Sequence, residues 1–301
     1  MTRVNVECVP CIIDVRAREV LMRYSGSDLK AVRFISELAR KYAELVEQGM
    51  LDLTLIATEL FRDVKRFLND PDPYRRVKAE ANENGLKLYS RLKDYARKLD
   101  GDERLVLAVR AALLGNSLDL GVSGYRPPTT SELMELISKI EVVELGNVSV
   151  LREVKGMTIA YLLDNAGEAA LDRLLAEELR ARGAYVIAVV KSGSFQNDVT
   201  VNEVKELKLS DSFDDIIPTG SDGSSIFVNE VSGRLKKLLT ECDLIISKGM
   251  AHYEYLSNYE NKIGKQILYM LRAKCGPIAR ELSVPKNTFV IKGAYIYLDF
   301  T

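Results

Sequence analysis

Over roughly the first 140 residues, apolar side chains recur at helical spacing. Leu29, Val32, Ile35, Leu38, Ala39, Tyr42 and Leu45 follow Ser27-Asp28 and give way at Gly49. That pattern predicts an amphipathic helix with a C-terminal glycine cap. A second pattern covers 53–68 and ends in Asn69-Asp70-Pro71-Asp72-Pro73. A third covers 74–99, with Gly85 as a local weakness inside it. A fourth runs from Asp102 to Leu114 and stops in Gly115-Asn116-Ser117. After a loop-like stretch at 121–128, Thr129-x-x-Glu132 reads as a capping box that opens a short helix.

From about Val142 the grammar changes. Short strand-like runs at 158–163, 185–190, 216–217, 244–246, 266–271 and 288–291 alternate with helical patterns, one of them over 168–181. Such alternation predicts βαβ units around a largely parallel sheet, hence an α/β fold. The expected division is a helical N-terminal domain at 1–140 and an α/β domain at 141–301, with the boundary somewhere in 100–145.

The chemistry collects at the ends of these strands. The first ends in Asp164-Asn165 and turns through Ala166-Gly167 into the helix beginning at Glu168. Others end in Lys191, followed by Ser194, Asn197 and Asp198; in Ser247-Lys248-Gly249; and in Lys274-Cys275-Gly276. In a parallel sheet these ends share one edge, where ligands bind. Acid and amide oxygens there suit Mg²⁺ or Mn²⁺, while lysines and helix N-termini receive an anion. Taken singly, Asp164 could equally cap the helix, Asn197-Asp198 could be a turn, and the lysines could be solvated.

Composition narrows the classes. With 47% apolar and 28% charged residues in 301, the chain can bury a sizeable core. A net charge of −1 gives no support to a nucleic-acid or anionic-membrane footprint. Without a spanning apolar run or a signal-peptide core, a cytoplasmic protein is expected. Four cysteines do not make a disulfide scaffold, and Cys8-Val9-Pro10-Cys11 is the only pair at ligand spacing. No Walker-type P-loop, Gly-x-Gly-x-x-Gly or Gly-x-Ser-x-Gly is present. The single histidine, His252, opens a helix near Lys248.

With these residues in view, the chain resembles the damage-control phosphatase family of metal-dependent phosphatases, in its stand-alone prokaryotic form. The matching pieces are D-N-A-G-E at 164–168, G-S-F-Q-N-D-V-T at 193–200, S-K-G-M-A-H-Y-E at 247–254 and L-R-A-K-C at 271–275. G-N-S-L-D at 115–119 and C-V-P-C at 8–11 are similar as well. The resemblance implies a three-layer α/β/α, Rossmann-like domain beside a helical N-terminal region. It implies Asp164, Asn165 and Asp198 as metal ligands for Mn²⁺, Mg²⁺, Ni²⁺ or Co²⁺. Lys248, Gly249, Met250, Ala251 and Lys274 would contact the substrate phosphate, with Asn116 approaching from the helical half. His252, which stands where relatives often carry Asn, would contact the substrate as well.

The implied reaction is hydrolysis of a phosphomonoester of a small metabolite by metal-activated water. Asp164, Asp198 and Lys274 would be catalytic, and either Asp198 or Glu168 would position the water. Three rivals remain open at this stage. Asp164 could form an aspartyl phosphate, although Ala166 stands where a second Asp is usual. The crevice could bind phosphorylated metabolites or nucleotides without turnover. A carboxylate methyltransferase is the third.

Overall fold

The computed structural model describes residues 4–116 and 129–300. Six helices come first: α1 (Cys8–Arg23), α2 (Asp28–Glu47), α3 (Leu53–Leu68), α4 (Arg75–Ala96), α5 (Gly101–Gly115) and α6 (Thr130–Lys139). Next come β1 (Val142–Leu145), β2 (Thr158–Leu162), α7 (Glu168–Ala181), β3 (Tyr185–Val190), β4 (Asp215–Pro218) and α8 (Gly233–Glu241). The chain closes with β5 (Leu244–Lys248), α9 (Met250–Leu256), β6 (Glu260–Arg272), α10 (Gly276–Glu281) and β7 (Phe289–Ile296).

Local chemistry sets several of these ends. Asp52 caps α3 by accepting from the Thr54 and Leu55 amides, and the helix closes at Asn69 with φ +50°. The Thr129–Glu132 capping box is formed in full. Just past α2, Gly49 sits at φ +87°, as a terminating glycine should. Helix α1 was not anticipated, because its inward face mixes Ile12 and Val20 with charge. Arg16 and Glu19 on that face are each 1% exposed and pair at 3.0 Å.

The seven strands form one sheet in the order β1-β7-β6-β5-β2-β3-β4. β2 to β6 run parallel, and only β7 and its neighbour β1 are reversed. All four strands that carry candidate residues, β2, β3, β5 and β6, therefore end on the same edge. Alternate strand residues face opposite layers. Ile159, Tyr161, Leu163, Val186 and Ile246 pack under α4, α5 and α7, whereas Ala160, Leu162, Ile187, Ile245 and Ile267 pack with α8, α9 and α10. Helices α1 to α3 enclose a third apolar cluster, which Phe195 joins from the loop after β3. Ser117, Leu118 and Asp119 lie outside the described residues.

Gly85 is a point of contact rather than a weakness. A Cβ there would lie 2.2 Å from the Gly167 carbonyl oxygen, and one on Gly167 would lie 2.6 Å from Ala81 O. Gly167 also has φ +77°. Helix α4 thus lies directly on the turn that follows Asp164. Ordinary helix propensity favours Ala over Gly by about 1 kcal/mol. Gly85→Ala should nevertheless destabilise, by about 1–3 kcal/mol in denaturant melts, because the backbones must separate. Gly233→Ala, where a Cβ meets nothing within 4 Å, should be neutral or stabilising in the same melts.

Among the described residues, no cation offsets the buried carboxyl of Glu254. Burial, and then the charges of Asp52 and Glu281, push Glu254 on α9 up to about 8. A carboxyl raised above its unfolded value stabilises the fold while protonated. That contribution is lost as pH rises from the unfolded carboxylate range through about 8. Glu254→Gln should therefore raise Tm over wild type by several degrees at alkaline pH, with the difference closing toward pH ~4, as read by calorimetry across pH.

Candidate active site

β2 and β5 are neighbours, yet β2 leads toward β3 and β4 while β5 leads the other way to β6. A crevice opens beyond the strand ends at such a reversal. Asp164 follows β2 and Gly249 follows β5, one on each side of it. Gly249 has φ +77°, and a Cβ there would lie 1.9 Å from Asp164 Oδ2. The carboxylate therefore rests against main chain, an approach that only glycine permits.

Asp164 does not cap α7. The N-cap is Gly167, without a side-chain bond. Asp164 Oδ2 instead accepts from Asn116 Nδ2 at 3.0 Å and Asn165 Nδ2 at 2.9 Å. The same two amides donate to Glu168 Oε2 at 3.0 and 2.9 Å. Asn116, at the end of α5, thus enters the site and ties Asp164 to Glu168.

Asp198 arrives from the loop after β3. That loop makes a tight turn, with Asp198 N donating to Phe195 O at 3.0 Å and Gln196 at φ +44°. It then folds back on the first loop through an antiparallel bridge between Asn165 and Asp198. Ala166 N donates to Asn197 O and Val199 N to Asp164 O, each at 2.8 Å. Turn geometry and site geometry are the same feature here. Lys191, 1% exposed, donates to Gly223 O at 2.8 Å and stands 3.7 Å from Asp198 Oδ2.

These groups open into a cavity of about 570 Å³ lined by Asn116, Asp164, Asn165, Glu168, Asp198, Met250, Ala251 and Lys274. Gln196, Asn197, Arg272 and Asn287 complete its polar wall. A larger cavity, about 780 Å³, lies between α5, α6 and β1 and contains none of these groups. Lys274 is exposed and, among the described residues, has no hydrogen-bond or ion-pair partner.

Two expected contacts lie elsewhere. Lys248 is 0% exposed, and its ammonium is taken up by Glu168 Oε1 at 2.8 Å, Asp172 Oδ1 at 2.5 Å and Ala112 O at 2.9 Å. It lies beneath the cavity, where it fixes Glu168. His252 is 2% exposed, with Nδ1 3.0 Å from Ser225 Oγ and Nε2 3.4 Å from Leu163 O. Burial and then Lys191 hold its pKa well below the usual range, so the ring is neutral. Neither residue lines the cavity. Asp172 and its partner Tyr161, 2.7 Å apart, were not expected at all. Their only signal was polar atoms on otherwise inward-facing positions of α7 and β2.

The electrostatics separate the carboxyls. Burial and then Glu168 push Asp164 up to about 7, against the pull of Lys274, Lys191 and Lys248. Asp198 is held well above the carboxylate range by burial, with Asp164 adding to it and Lys191 opposing. Burial would raise Glu168 too, but Lys248 overrides it and the group stays ionised. Asp198 Oδ2 is buried with no hydrogen-bond partner among the described residues. Among those residues no three carboxylate, thiol or imidazole groups gather closely enough to chelate an ion. The cavity wall offers the carboxyls of Asp164 and Asp198 and the amide oxygen of Asn165 as hard donors. Asn165, which donates through Nδ2, has its Oδ1 available for that purpose.

A sequence profile of the damage-control phosphatase ARMT1-like domain matches residues 4–290. A damage-control phosphatase of Pyrococcus horikoshii is 31% identical over 293 residues, covering 96% of this chain and 97% of that one. One from Archaeoglobus fulgidus is 32% identical over 238 residues, covering 79% and 81%. An uncharacterised protein of Methanocaldococcus jannaschii is 31% identical over 288 residues, covering 94% and 92%. The crystal structure of a Pyrococcus horikoshii DUF89 family protein superposes with a TM-score of 0.82 at 28% identity, covering 99% of each chain. By sequence along nearly its whole length and by fold, the chain belongs to the damage-control phosphatase ARMT1-like family.

Proposed function

We propose that the chain is a divalent-metal-dependent phosphatase that hydrolyses phosphomonoesters of small metabolites in the crevice between loops 164–168 and 193–200. The observation that carries this reading is one juxtaposition. Asp164 and Asp198 are buried in one cavity, each pushed toward protonation, and the cavity's lysine, Lys274, makes no hydrogen bond or close ion pair among the described residues. Two carboxyls in that state gain most from a cation, and Asp164, Asn165 and Asp198 would hold it. A bound Mn²⁺, Mg²⁺, Ni²⁺ or Co²⁺ supplies charge neutralisation at the phosphoryl group and a lowered water pKa.

The remaining roles fall to the protein. Lys274 receives the non-bridging phosphate oxygens and stabilises charge developing on them. Asn116 holds the Asp164 and Glu168 carboxylates at a fixed separation by donating to both. Glu168 is a poor proton acceptor, since Lys248 keeps it ionised and both of its oxygens are engaged. Asp198 lines the cavity with no hydrogen bond to its Oδ2 among the described residues, and is the better group to orient the attacking water. A cavity of about 570 Å³ suits a small phosphorylated metabolite.

Chelator-stripped protein should be inactive on p-nitrophenyl phosphate and regain turnover when single divalent metals are added. Asp164→Ala and Asp198→Ala should lose activity by roughly 10³-fold or more, as expected when the metal and its charge are removed. Persistent full activity in either variant would refute the site. Metal-independent phosphate binding without turnover would point to a binding protein. Turnover only with S-adenosylmethionine would point to a methyltransferase.

The two lysines should separate cleanly in kinetics and stability. Lys274→Ala should lower kcat/KM by about 10²–10³-fold with an unchanged Tm. Lys248→Met leaves Glu168 and Asp172 buried without their cation and should cost about 3–5 kcal/mol in stability, read in denaturant melts. An equal stability loss in both variants would contradict the assignment.

A further inference from the structure

Helix α4 contains a fully buried lysine that the reaction does not use. Lys78 is 1% exposed, and its ammonium lies 2.7 Å from Asp72 Oδ2 and 2.9 Å from Glu203 Oε1. Asp72 and Glu203 are each 6% exposed, and each reaches the loop that carries Asp198. Asp72 Oδ1 accepts from Ser194 Oγ at 2.9 Å, four residues before Asp198. Glu203 Oε2 accepts from Thr200 N at 2.8 Å and Thr200 Oγ1 at 2.7 Å, two residues after it. One ammonium thus joins both flanks of the loop. The same helix holds the other loop: Asn82, one turn further on, accepts from Gly167 N at 2.8 Å through Oδ1.

We infer that Lys78, acting through Asp72 and Glu203, is a positioning residue that holds Asp198 in register with Asp164. This rests on the reading of Asp164, Asn165 and Asp198 as the cation seat. Two other side-chain hydrogen bonds reach the loop ahead of Asp198. Lys65 donates to Ser194 O at 2.8 Å, and Gln196 donates to Glu19 Oε1 at 2.9 Å. Both fall before Asp198, whereas Lys78, through Asp72 and Glu203, ties Ser194 before it to Thr200 after it, alongside the main-chain bonds of Lys191 with Val199 and Val201. Without that ammonium, two buried carboxylates face each other and the loop ends must part. Asp198 would then leave the bridge with Asn165. The reading also explains a long aliphatic side chain with a charged end on the apolar stripe of α4, where Ala81, Leu88 and Leu92 are buried.

The test is Lys78→Met, with Asp72→Asn and Glu203→Gln as milder variants that each release one flank. Two readouts are taken on full-length protein: Mn²⁺ affinity by calorimetry, and amide hydrogen exchange over 194–200 in chelator-stripped protein. The clamp predicts at least tenfold weaker Mn²⁺ binding and faster exchange over 194–200, with exchange in β2 and β5 unchanged. Folded Asp72→Asn and Glu203→Gln proteins with wild-type Mn²⁺ affinity and wild-type exchange in that loop would overturn it, whether or not Lys78→Met folds. If wild type itself binds no Mn²⁺, the cation reading fails, and the exchange measurement still decides whether Lys78 holds the loop.

Discussion

The site depends on a carboxylate pressed against a glycine. Asp164 leaves β2 at the place where the sheet order reverses, and Gly249 leaves β5 beside it with no room for a Cβ between them. Asp164 lines the crevice, and burial disfavours its ionised form. Asn116 and Asn165 each donate to it, and neither brings a charge. A buried carboxylate whose hydrogen bonds come from neutral amides keeps a charge that a cation can offset.

The three lysines near this edge illustrate how position decides role. Lys248 ends β5 but points beneath the crevice, where Glu168 and Asp172 occupy it. Lys191 ends β3 and is buried against Gly223 O, close enough to Asp198 to moderate its charge. Lys274, two residues past β6, is exposed at the cavity wall. Burial lowers the pKa of Lys191, while the two carboxylates beside Lys248 outweigh burial and raise it. Similar residues at similar strand ends therefore differ in what remains available to a ligand.

Much of this was legible in the chain. Strand runs ending in Asp164-Asn165, Lys191, Lys248 and close to Lys274 placed the crevice, since parallel strands bring such ends together. The helix patterns at 53–68 and 102–114 fall close to α3 and α5. Direction at the sheet's far side was not legible: β7 has the same apolar character as its neighbours but runs antiparallel to β6. Pattern also missed what happens beneath the surface. His252 and Lys248 sit at promising positions in sequence, and only packing reveals that both are enclosed. Lys78 and Asn82 left a trace, being polar residues one turn apart on the buried stripe of α4. Gly85, one turn further along, marks the close approach that a propensity scale counts only as a defect.

In the proposed site, two loops held by neighbouring helices bring Asp164, Asn165 and Asp198 around a single cation. Anomalous diffraction at the manganese edge, from crystals grown with Mn²⁺ and a phosphate-mimicking oxyanion, tests it directly. One strong peak ligated by those three side chains is expected, with the oxyanion between it and Lys274. An ordered crevice with no peak there, or a peak ligated by a different cluster, would contradict it.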